Sequence, residues 1–172
     1  MRSTLGRRRG DPAIMLVIRC TRELLQDVTS PATDEVTSTT ALGDWFAQQV
    51  VVGDRSHILL VSRLSRLPLV IPGSDVASIL SGFAGALEDV LLGSAVAPDA
   101  VAHEVEQCRE IVFAAGDGSS VRASGNYFAR RMKRDLPGRP EDPKDISLRL
   151  GDVPLKSLDF ALPSEATRRL FE

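Results

Sequence analysis

Two apolar runs, His57–Ser62 (HILLVS) and Leu67–Ile71 (LPLVI), are separated by only four residues, Arg63-Leu-Ser-Arg66. Parallel strands need a crossover of a dozen or more residues, so a four-residue joint leaves an antiparallel hairpin, about residues 56–71. That excludes an all-helical fold and a uniformly parallel sheet. Pro68 cannot donate to a ladder, so the second strand lies at an edge or begins irregularly. Arg63 and Arg66 flank the turn, where charge solvates a strand edge and discourages pairing with another chain.

The rest of the chain alternates between short strands and helices. Met15–Arg19 is apolar and rich in Val and Ile, and reads as a strand. Thr21 follows as a possible cap for a short helix with Glu23 in its first turn. Thr29–Thr40 is a Ser/Thr-rich surface loop. Leu42–Gln49 fits either a short helix or a strand, with Trp45 and Phe46 seeking the core, and Val50–Val52 ends at a Gly53-Asp54 turn. From Asp75 to about residue 92, Val76, Ile79, Leu80, Phe83, Leu87, Val90 and Leu91 recur at steps of three and four, one apolar helical face. Pro98-Asp99 opens a second helix, about 99–109, striped by Val101, Val105 and Cys108. Glu110–Ala115 reads as a strand, and a third helix spans about 119–134. Ile146–Leu150 is ambiguous, and Pro163 precedes a short terminal helix. Hairpin strands beside grouped helices predict an α+β fold: one compact domain over 15–172, with a small, mostly antiparallel sheet packed by amphipathic helices.

Residues 1–14 carry Arg2, Arg7, Arg8, Arg9 and Asp11, and read as a disordered or start-site extension; Met15 is a candidate true start. Without them the net charge falls from −2 to −5, so any nucleic-acid contact must come from a local basic patch. No secretory signal is visible, and no apolar run reaches the roughly 18–20 residues of a membrane span. Cys20 and Cys108 stand apart, with no CxxC and no nearby His, which argues for free buried thiols in a reducing cytoplasm and against a zinc site. No metal or cofactor is expected.

Catalytic signatures are missing from the sequence. There is no GxSxG, HExxH, GxxxxGK[ST] or GxGxxG. His57 and His103 have no nucleophile motif beside them, and Glu106 and Glu110 are like charges at i,i+4 softened by Arg109. The segment that stands out is GDGSSVRASGNYFARRMKR, Gly116–Arg134. On a helix, Val121, Gly125, Phe128 and Met132 form a packing stripe. Arg122, Asn126, Arg130 and Lys133 fall within roughly 80° of one another on another face. Gly118, Ser119 and Ser120 offer free N–H groups at the helix start, with Arg122 one turn in, which is anion-site chemistry; Gly and Ser are equally common caps. Asp117 beside the start would repel an anion.

The ordered landmarks MLVIRCTRELL, TTALGDWFAQ, ILLVSRLSRLPLVIPG and EIVFAAGDGSSVRASGNYFARRM resemble the bacterial family of domain of unknown function 6933 over about residues 15–136. The strand ending in Arg19-Cys20-Thr21, the segment Leu42–Trp45 with Asp44, and the helix start with Ser120, Val121, Ser124 and Asn126 match its pattern. Ser119, Gly125 and Tyr127 depart from it. The resemblance implies a cytoplasmic bacterial domain, some of whose relatives are joined to mobile-element domains, which makes an accessory or defence-linked role conceivable. Two functional readings follow. One is a non-enzymatic binding module that meets a protein or nucleic-acid partner with the Arg122/Asn126/Arg130/Lys133 face. The other is a small enzyme or anion-binding domain, with its site where Arg19 and Thr21, beside Asp44 and Trp45, meet the Ser119–Asn126 helix start.

Overall fold

The computed structural model describes residues 15–32, 36–116, 119–138 and 141–172; the expected extension at 1–14 lies outside them. Five strands form one sheet: β1 (Leu16–Cys20), β2 (Trp45–Val52), β3 (Arg55–Ser62), β4 (Pro68–Pro72) and β5 (Ile111–Ala115). Their order is β4-β3-β2-β1-β5. The helices are α1 (Arg22–Leu25), α2 (Val76–Gly93), α3 (Pro98–Gln107), α4 (Ser119–Asp135), α5 (Pro143–Gly151) and α6 (Pro163–Leu170), with a 3-10 turn at Lys156–Leu158. The fold is a single α+β domain, as the hairpin and the grouped helices imply.

The β3–β4 hairpin is antiparallel, Ile58 opposite Ile71, and β4 is an edge strand that starts at Pro68. The sheet is more mixed than the sequence predicts: β2–β3 and β3–β4 are antiparallel, while β1 pairs parallel with both β2 and β5. Leu16, Val17 and Ile18 are completely buried, as befits a strand covered on both faces, where apolar residues run continuously instead of alternating.

Period-two alternation sends successive side chains of each strand to opposite layers. Ile18, Trp45, Ala47, Ile58, Leu60, Leu69 and Ile71 form one layer, closed by Ile79, Phe83, Leu87 and Val90 of α2 and by Val101 of α3. Trp45 meets Phe83 edge-to-face, ring centroids 5.4 Å apart. Phe46, Val50, Leu59, Val61 and Val70 form the opposite layer, beneath Val121, Phe128 and Met132 of α4 and Ile146 and Leu150 of α5. By length and composition α2, with 18 residues at mean hydropathy 1.5, meets the requirement for a membrane span. Its Val76–Leu91 stripe is instead spent on the first core layer. Asp75 caps it, accepting from the Ser78 N–H at 2.9 Å and the Ser78 hydroxyl at 2.7 Å.

Both sheet edges are closed by hydrogen bonds from other segments. At β4 the Val70 N–H donates to Ser147 Oγ of α5 at 2.8 Å, and Ser147 donates onward to the Pro143 carbonyl at 2.8 Å. At β5 the Phe113 carbonyl accepts from the Ala32 N–H at 2.8 Å. The hairpin turn is anchored from beneath. Ser65 Oγ accepts from Thr167 Oγ1 of α6 at 2.8 Å and from the Leu67 N–H at 3.3 Å. With both acceptor positions filled, its own proton goes to Ser62 Oγ, 2.9 Å away. All three hydroxyl residues are fully buried. Ser147→Ala removes the side-chain acceptor of the buried Val70 N–H, so urea denaturation should show a loss of ~1–3 kcal/mol.

Candidate functional site

The parallel β1–β5 pairing sets Arg19 beside Ala114 and Cys20 beside Ala115. Thr21 and the approach to α4 therefore leave the sheet side by side, and the two segments singled out in the sequence meet at Gly116. A Cβ on Gly116 would lie 2.8 Å from Arg19 Cβ and 3.1 Å from Phe46 Cε2, so only glycine fits this junction without displacement. Asp117 and Gly118 lie outside the described residues.

Arg19 is the centre of this junction, and every nitrogen of its guanidinium is engaged. Nε donates to Asp44 Oδ2 at 2.8 Å, Nη1 to the Ala115 carbonyl at 3.2 Å and Nη2 to the Val36 carbonyl at 2.6 Å. Asp44 Oδ1 accepts from the Ser38 N–H at 2.7 Å. The side chains are only 14% and 5% exposed, so the pair is largely desolvated and held by a complete set of partners. It ties together the end of β1, the start of β2, the 36–38 segment and the end of β5.

The neighbouring candidates hold structural positions. Thr21 donates its N–H to the Ala47 carbonyl at 3.2 Å and precedes α1, without a side-chain capping bond. Trp45 is 1% exposed in the core, its Nε1 buried with no hydrogen-bond partner. Ser119 is the first residue of α4. Ser120 Oγ accepts from Arg66 Nη2 at 2.8 Å, which brings the hairpin turn to the start of α4. Arg66 has a left-handed backbone, φ 61°, and its Nε is buried without a partner. Burial, with Arg63 beside it, lowers the pKa of Arg66. Ser124 is 6% exposed; its hydroxyl donates to the Ser120 carbonyl at 3.4 Å and lies 3.5 Å from Ser157 Oγ.

The two faces of α4 separate as their spacing requires. Val121, Gly125, Phe128 and Met132 are buried against the sheet. A Cβ on Gly125 would come within 2.6 Å of Gln48 Nε2, so the glycine allows the helix to seat closely. Arg122, Asn126, Arg130 and Lys133 are all exposed, and the three cations among them form no ion pair among the described residues. Arg131 and Arg134 of the same helix are instead paired with Asp135, at 3.9 and 2.7 Å.

Glu104 escapes sequence reading because it looks like any helix-surface glutamate. It is 1% exposed, and its carboxylate accepts from the N–H groups of Ala41 at 3.2 Å and Leu42 at 3.4 Å, holding the loop that leads into Asp44. Burial raises its pKa above the ordinary 4.5, against the opposing effect of those two N–H groups and of His103. Cys20 and Cys108 are buried and free; burial pushes each thiol up to about 12, so neither is a ready nucleophile. Among the described residues no cluster of three or more His, Cys, Asp or Glu could hold a metal. His103 is hydrogen-bonded to Gln107 at 2.6 Å on α3, and His57 lies toward the opposite end of β3 from the Arg66 turn, so neither joins the Arg19 junction.

The family model described as Domain of unknown function (DUF6933) matches residues 17–166. The chain belongs to this family. The match runs from β1 into α6 and so takes in the Arg19–Asp44 pair, the hairpin and α4 together. Neither the curated proteins nor the solved structures contain a match to the chain.

A group whose folded-state pKa is raised binds protons more readily when folded, so its contribution favours folding below the unfolded value and declines as pH rises through the folded one. Relative to Glu104→Gln, the wild type should therefore be most stable below pH 4.5 and lose that advantage as pH rises. Parallel urea titrations across this range check the slope. Glu104→Ala, which strands two N–H groups, should cost ~1–3 kcal/mol below pH 4.5, and that cost should shrink along the same slope as pH rises.

Proposed function

We propose that the protein is a non-enzymatic binding module that meets a negatively charged partner through the exposed face of α4. The observation that carries this reading is the exposed row Arg122, Asn126, Arg130 and Lys133, whose cations form no ion pair among the described residues, on a protein whose net charge is −2. Arg122 to Lys133 covers on the order of 16 Å along the helix, at ~1.5 Å per residue. That length suits a run of nucleic-acid phosphates or an acidic protein surface. The helix cannot retreat from its partner, since Phe128 and Met132 fix its other side in the core. A cationic face whose charges form no ion pair among the described residues supports attraction by counterion release or charge complementarity, neither of which needs a catalytic constellation. The free, buried thiols of Cys20 and Cys108 suit a reducing bacterial cytoplasm.

The alternative, a small-anion or catalytic site at the β1 end and the α4 start, has less support. Arg19, its natural anion ligand, is committed to Asp44 and two carbonyls, and Ser120 is committed to Arg66.

The test is retention on heparin, with fluorescence anisotropy of labelled single- and double-stranded oligonucleotides and of a poly-glutamate peptide, at several salt concentrations. Arg122→Glu with Arg130→Glu should abolish binding at low salt without changing the melting temperature by more than a few degrees. If the wild type binds none of these probes, or the variant binds as well as the wild type, the reading fails.

A further inference from the structure

A cleft of about 330 Å³ opens at the Gly53–Asp54 end of the sheet, beside the C-terminal end of α4 and away from the Arg19 junction. Its size falls within the range of small-molecule sites, roughly 300–1,000 Å³. Val52, Leu136 and Ile146, all buried residues, give it an apolar floor. Among the described residues two basic groups line it, Arg55 and His57. They alternate along β3, so both project from the face that Leu59 and Val61 present to α4.

Neither basic group has a carboxylate counterpart among the described residues. Arg55 is exposed and makes no ion pair. His57 meets the Val50 carbonyl of the facing strand and forms no ion pair. Two carboxylates also line the cleft. Glu141 is bound to Arg149, so its charge is already matched. Asp54 lies in the exposed turn at the rim. The positions left open to a ligand are therefore a forked cation and an imidazole above an apolar floor.

We propose that this cleft binds a small organic monocarboxylate with an apolar body, its carboxylate on Arg55 and His57 and its hydrocarbon part on Val52, Leu136 and Ile146. The Arg55 fork matches a carboxylate in two parallel hydrogen bonds, and His57 supplies a third donor. Burial lowers the His57 pKa; the Val50 carbonyl across the strand pair opposes this, and the Arg55 charge adds to it. A bound anion reverses the balance, so carboxylate binding is coupled to proton uptake on the imidazole. The site is independent of the exposed α4 face, and changes to it leave Arg122 and Arg130 untouched.

The experiment is a titration of the full chain with hexanoate and phenylacetate, followed by the His57 ring resonances in heteronuclear NMR, with hexylamine and hexanol as matched controls. Both carboxylates should produce saturable shifts at millimolar concentration and raise the His57 pKa by about one unit. The controls should leave the ring unmoved. Arg55→Gln should weaken binding about tenfold. His57→Gln, followed by the Val52 and Ile146 methyl resonances, should retain binding but lose the accompanying proton uptake measured by calorimetry in two buffers. Absence of saturable binding by either carboxylate, equal binding of hexylamine or hexanol, or undiminished binding by Arg55→Gln would overturn the assignment.

Discussion

The ion pair between Arg19 and Asp44 is the interaction on which the arrangement of this domain turns. A charged pair at 14% and 5% exposure has given up most of its hydration, and such a pair persists only when its remaining hydrogen-bonding positions are filled. Here they are filled by the Ala115 and Val36 carbonyls and by the Ser38 N–H. Those partners come from β5 and from the segment that precedes β2. One side-chain pair thus joins two parallel strand pairings that the chain itself does not connect by any short turn. The Arg63 N–H donates to the Asp44 carbonyl at 2.8 Å, which extends the same point of attachment to the hairpin.

The position of α4 follows from this junction. β5 ends beside β1, Gly116 passes against Arg19 and Phe46, and the helix then starts next to the hairpin turn at Arg66. From there its apolar stripe runs over β2 and β3, and Gly125 lets it settle onto Gln48. The opposite face is left with cations that the fold does not use. In one helix, Arg131 and Arg134 share the carboxylate of Asp135 while Arg122, Arg130 and Lys133 form no ion pair among the described residues, so the charge left exposed is a local surplus on an otherwise acidic chain.

What could be read from the residues was whatever depends on neighbours in sequence. Four residues between two apolar runs leave only a hairpin, and steps of three and four mark α2 and both faces of α4 within a residue or two of their ends. The parallel pairings were hidden because β1 meets partners 27 and 95 residues away, and no local pattern encodes such a distance. The same separation concealed the partnership of Arg19 with Asp44, although both residues were singled out. Ser147, Glu104 and the Ser62–Ser65–Thr167 hydroxyls went unrecognised for a related reason. Each is an ordinary polar residue whose role is decided by a backbone group or side chain brought to it by the fold.

The most direct measurement is a double-mutant cycle on the folding stability of Arg19→Met, Asp44→Leu and the combined variant. If the pair is a buried clasp, each single change leaves an uncompensated buried charge and costs about 3–5 kcal/mol. The double variant should then recover part of that loss, with a coupling energy of roughly 1–3 kcal/mol. Strictly additive losses, or single variants as stable as the wild type, would contradict the account and return Arg19 and Asp44 to the role of available ligand-binding groups.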